Sequence, residues 1–121
     1  MDEAFIKKVQ PNSPEAEQSV IGAMIMDRDA IADVIDIVSA DDFYQKQNGI
    51  LFEAMTELYR EGKPVDLVTL QNKLKKKDVP ESMKSLEFIR DLLEAVPTSA
   101  NAKQYAKIVS EKATLRKLIK V

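Results

Sequence analysis

Apolar side chains in this chain return every three or four residues and nowhere alternate convincingly with period two, which restricts the fold to helices. Ile31, Val34, Ile35 and Val38 fall at i, i+3, i+4 and i+7, one stripe of a helix that turns 100° per residue. Leu51, Ala54, Met55 and Leu58 repeat the spacing. Three glycines and five prolines in 121 residues leave little for the tight turns of a many-stranded sheet. The expected fold is all-α, a compact multi-helix domain of about six helices.

Start and stop signals divide the pattern. Residues 1–12 contain Pro11 and show no period, so they read as an arm, mobile or draped. Ser13-Pro14 opens the first helix: a serine caps free N–H groups, proline suits the first turn, and Glu15 and Glu17 favour the positive dipole end. Val20, Ile21, Met24 and Ile25 form its buried face, and Gly22 within it permits close helix–helix approach. Asp27 or Asp29 caps the second helix. The third, near 45–60, ends at Gly62 with Pro64 beyond, and Asp66 caps a fourth carrying Leu67, Leu70 and Leu74. A fifth buries Leu86, Ile89, Leu92, Leu93 and Val96 before Pro97 stops it. The sixth and longest starts near Ala102, so residues 13–97 make a globular head and 98–121 carry the last helix.

That last helix has two apolar stripes. Ala102, Tyr105, Ala106, Val109 and Ala113 form a narrow one, as packing on a single small domain requires. Ile108, Leu115 and Ile119 form another about 120° around, suited to a further helix from this chain or another. No glycine, asparagine or proline terminates the helix before Val121, so a fragment cut inside a helix is expected.

Catalytic chemistry finds no foothold. Without histidine or cysteine there is no thiol nucleophile, no histidine-based triad and no ordinary zinc site. Neither G-x-x-x-x-G-K-[ST] nor G-x-G-x-x-G occurs, so no phosphate-cradling loop is expected. Asp27 and Asp29 imitate the start of a calcium loop, but Ala32 and Val38 occupy its glycine and glutamate positions. Asp41-Asp42 reads as a helix cap rather than an acid/base pair. No apolar run reaches the roughly 18 residues of a membrane span, and the N-terminus lacks a signal peptide's layout. With no disulfide framework, a cytoplasmic location is expected. Net charge is −2, yet residues 1–60 carry 12 acids and 5 bases whereas residues 61–121 carry 8 and 13. Such a dipolar chain reads either as complementary faces offered to its own copies or as two solvated faces of opposite sign.

Three ordered blocks carry a family resemblance. PNSPEAEQSVIGAMIMD is similar to the opening of the N-terminal domain of bacterial replicative DNA helicases of the DnaB family, where a proline-rich cap leads into A-E-x-x-V-[LI]-G. DDFYQKQNGILFEAM and LYREGKPVDLVTL resemble that family's aspartate-phenylalanine-tyrosine turn and its G-x-P-[IV]-D-x-[VI]-T-L cap. VPTSANAKQYAKIVSEKATLRKLI resembles its approach to a helical hairpin. The chain departs at Asn48, where the family often has histidine, and at ESMKSLEF, where a glycine pair is usual.

The resemblance implies a non-catalytic assembly and docking domain. Family members are hexameric helicases that unwind DNA at the replication fork by ATP hydrolysis in a separate RecA-like domain, which would hold ATP and Mg. Their N-terminal domains pair hairpins into a trimer of dimers, dock the C-terminal domain of primase, and in some systems bear on the helicase loader. Residues 98–121 would then be the first helix of the hairpin, with Tyr105, Ile108, Val109, Leu115, Arg116 and Ile119 as candidate interface residues. Tyr105 and Val109 are the best candidates for core, and Ile108, Leu115 and Ile119 for intermolecular contact. The residues also admit a DNA-binding module using the basic second half, with Lys73 to Lys77 and Lys103 to Lys120. Other readings are the related helicase-binding domain of primase and a stand-alone adaptor.

Overall fold

Ser13 Oγ accepts a hydrogen bond from the Ala16 amide at 3.2 Å and starts α1, Pro14–Met26. The computed structural model describes residues 10–94 and 101–119, except the side chains of Leu92 and Leu93. Residues 1–9 of the arm, the burial of Leu92, Leu93 and Val96, and the stop at Pro97 lie outside the described residues. Extended backbone at Asp27 separates α1 from α2, Arg28–Val34. Asp27 rather than Asp29 supplies the cap, its Oδ1 accepting from the Asp29 amide at 2.9 Å.

A 3₁₀ turn at Ala40–Asp42 leads to α3, Lys46–Arg60. The Gly62 amide donates to Tyr59 O and the Lys63 amide to Leu58 O, with Gly62 at φ +74°. These paired bonds satisfy two end carbonyls of α3 and require the left-handed backbone that glycine adopts without strain. α4, Leu67–Lys75, begins with a reciprocal cap: the Thr69 amide donates to Asp66 Oδ1, and the Asp66 amide donates to Thr69 Oγ1, each at 2.9 Å. The divergent ESMK segment forms a second 3₁₀ turn, Glu81–Lys84, and buries Met83. α5, Leu86–Glu94, and α6, Ala102–Ile119, complete six α-helices, and no strand occurs among the described residues.

α1 is the central helix, packed on α2, α3, α5 and α6. Its Val20, Ile21 and Met24 join Ile31 and Val34 of α2, Leu51 and Met55 of α3, Leu70 and Leu74 of α4, Ile89 of α5 and Val109 of α6 in one core. α3 and α4 are further linked at the surface by ions. Lys73 reaches Glu61 at 3.0 Å and Glu57 at 3.7 Å, while Lys77 reaches Glu57 at 2.8 Å and Glu53 at 3.7 Å. The basic stretch of α4 is therefore partly spent on its neighbour.

Candidate functional site

The inner stripe of α6 consists of small side chains. Ala102, Ala106, Val109 and Ala113 are buried, which brings the helix close against α1. Tyr105 and Ile108 are partly buried and pack on the same core. Val109 is thus a core residue. Ile108, assigned by its spacing to the second stripe, is partly buried at the margin of the core.

One turn later the buried stripe takes in a charge. Arg116, seven residues after Val109, is only 8% exposed. Its Nη1 donates to Pro11 O at 2.8 Å and its Nη2 to Asp42 O at 2.6 Å. The guanidinium carbon lies 5.4 Å from the centre of the Tyr44 ring, within cation–π range. Two backbone carbonyls and an aromatic ring replace the water that a buried guanidinium loses. Within the described chain the polar atoms of Arg116, a candidate interface residue, are engaged inside the domain. Pro11 is correspondingly docked, and Gln10 to Asn12 are half-buried against the head.

The outer side of the last two turns is apolar and uncovered within the described chain. Leu115 is 43% exposed, Leu118 67% and Ile119 60%. Leu118 was missed by the sequence stripe because it lies off the line through Ile108. Its place three residues after Leu115 is the signal that finds it. An exposed apolar cluster on one helix end, beside an otherwise closed core, is the usual mark of a contact surface.

Elsewhere the polar groups serve the fold. Asp42 Oδ2 accepts from the Ser39 amide at 2.9 Å, a cap within the 3₁₀ turn. Glu17, buried in α1, accepts from the Tyr44 amide at 2.7 Å and from the Gln45 amide and Asn48 Nδ2 at 3.1 Å each. Lys103 lies 3.8 Å from Asp33. A phosphate backbone would have to compete with these internal pairs for Lys73, Lys77 and Lys103. No group of three or more metal-ligating side chains occurs among the described residues. Nor is any helix there long and apolar enough to cross a membrane.

Comparison with known proteins agrees with this architecture. The family described as DnaB-like helicase N-terminal domain matches residues 9–111. The replicative DNA helicase DnaB of Geobacillus stearothermophilus is 39% identical over 120 residues, covering 99% of this chain and 26% of the helicase. Replicative DNA helicase DnaC of Bacillus subtilis is 37% identical over 120 residues, again 99% of this chain and 26% of the helicase. The chain thus spans about a quarter of the length of these curated relatives. Among solved structures, the N-terminal domain of DnaB helicase from Mycobacterium tuberculosis superposes with a TM-score of 0.87 at 38% identity, over 93% of this chain and 81% of that one. The corresponding Helicobacter pylori domain, described with its interactions with primase, shares the fold at a TM-score of 0.74 and 24% identity, over 99% of this chain and 91% of that one.

Proposed function

This chain belongs to the family of DnaB-like helicase N-terminal domains, and we propose that it is the assembly and primase-docking domain of a replicative DNA helicase. The observation that carries the reading is the apolar face Leu115, Leu118 and Ile119, left uncovered on α6 beside a head whose own core is closed. A second helix or a second copy laid on that face would remove it from water, as hairpin pairing requires. That a domain of the same fold from Helicobacter pylori was described with its interactions with primase supports primase as a partner. A helicase loader is the further candidate partner.

On this reading unwinding, ATP and magnesium belong to a motor segment outside these 121 residues. The residues present do not fit that cofactor: the sequence holds no phosphate-cradling glycine loop, and no metal-ligating cluster occurs among the described residues. The domain contributes contacts rather than chemistry.

Ile119→Asp tests the proposal. Its far-UV circular dichroism should match the parent, while sedimentation shows weaker self-association and titration with the primase C-terminal domain shows weaker binding. Unfolding by Ile119→Asp, or unchanged affinity for both partners, would overturn the docking role of this face. ATPase activity in the 121-residue chain would overturn the division of labour.

A further inference from the structure

We propose that Arg116 is a positioning residue that fixes the pose of the last two turns of α6, tying presentation of the apolar face to the N-terminal arm. The inference rests on the docking reading for its consequence, but not for its geometry. Arg116 draws together two segments distant in sequence: Pro11 of the arm, 105 residues away, and the first 3₁₀ turn with the residues just after it, through Asp42 O, 74 residues away, and the Tyr44 ring. Its neighbours Leu115 and Leu118 stand exposed on the same turns. Ala113, the last apolar member of the inner stripe, precedes it, and Lys117, Leu118 and Ile119 beyond it are all exposed. Past Ala113, Arg116 is therefore the one buried anchor of the described helix.

The guanidinium suits this task. Its planar fork offers donors to two carbonyls while its central carbon sits over the Tyr44 ring, a combination that a lysine ammonium cannot reproduce. One acceptor is backbone of the arm, so displacement of the arm leaves a buried charge short of a partner. The end of α6 is then held on the head only by the contacts of Arg116 to Asp42 O and the Tyr44 ring. Arm position and helix pose become a single equilibrium, and the pose sets whether Leu115, Leu118 and Ile119 face a partner together.

The chain has no cysteine, so paired nitroxide labels can be placed cleanly. Labels at Asp36→Cys and Lys117→Cys report the end of α6 against the head, and labels at Asp36→Cys and Lys107→Cys report its earlier turns. All three positions are exposed. Arg116→Met, an apolar substitution that can remain buried, should broaden the 36–117 distance distribution at least twofold and leave the 36–107 distribution unchanged. It should also weaken self-association at least fivefold. Arg116→Lys should recover less than half of either loss. An unchanged 36–117 distribution in Arg116→Met overturns the proposal, as does full recovery with lysine or equal broadening at both label pairs. If labels report the loosened helix while Ile119→Asp proves neutral in binding, the docking reading fails and the positioning role of Arg116 stands.

Discussion

Glu17 and Arg28 hold opposite ends of the same helix. From the first turn of α1, Glu17 accepts the Tyr44 and Gln45 amides and Asn48 Nδ2 at the N-terminus of α3. Arg28, at the start of α2, donates to Tyr59 O in the last turn of α3 at 3.4 Å and to Lys63 O just past that helix at 2.7 Å, with its guanidinium carbon 4.8 Å from the centre of the Tyr59 ring. Anion at the amino end and cation at the carboxyl end both oppose the helix dipole. Gln45, the residue in the cap position of α3, makes no side-chain cap bond of its own, so a distant glutamate takes that role.

The two grips should differ in strength because their burial differs. Glu17 is buried, whereas Arg28 and its bonds are exposed. Glu17→Gln turns an acceptor-only group into one whose amide nitrogen confronts N–H donors, and should cost about 2–3 kcal/mol in urea unfolding. Arg28→Met should cost under about 1 kcal/mol. Equal losses would show that burial does not set the hierarchy.

Gly49→Ala should destabilise the domain even though alanine is the better helix former by about 1 kcal/mol. A Cβ at Gly49 would lie 2.7 Å from the Ala40 carbonyl oxygen, which belongs to backbone and cannot swing aside. Overpacking of this kind costs about 1–3 kcal/mol. A thermal midpoint at or above that of the parent would contradict it.

The ion ladder between α3 and α4 predicts a pH dependence with two limbs. Hydrogen bonds from Lys73, then Lys63, hold the Glu61 carboxyl below its usual value, and Glu61 in turn raises the Lys73 ammonium. Stability from Glu61 is present above the carboxylate's unfolded pKa and is lost as pH falls through its lower folded value. Stability from Lys73 is present below the usual lysine pKa and disappears as pH rises through the raised one. Lys73→Gln should flatten both limbs, chiefly below about pH 4.5 and above about pH 10.5. Added salt should shrink the difference, because the side chains keep 20% and 41% exposure.

Leu118→Ser extends the test of the apolar face to a position that stripe analysis passed over. It should weaken self-association in sedimentation as Ile119→Asp does, while Lys107→Ser, on an exposed turn nearer the head, should leave it intact. Parallel losses from both would dissolve the distinction between the terminal face and the rest of the helix.

Local signals in the sequence determined the elements: Ser13, Asp27 and Asp66 cap helices, Gly62 ends one, and a spacing of three and four residues marks the stripes. These act over a turn or two of chain, so their outcome is nearly independent of how the helices pack. Ordered motif blocks likewise sufficed for the family. The fate of a charge was not legible in the same way. Glu17 reads as an ordinary first-turn acid and Arg116 as a candidate for an interface, because in sequence a charge is favourable either hydrated or fully bonded. Only the tertiary structure, bringing Asn48 to Glu17 across 31 residues and Pro11 to Arg116 across 105, supplied the partners that make burial possible. It also decided which apolar residues of α6 are core and which stay exposed, since periodicity fixes a side chain's angle on the helix but not what stands opposite it.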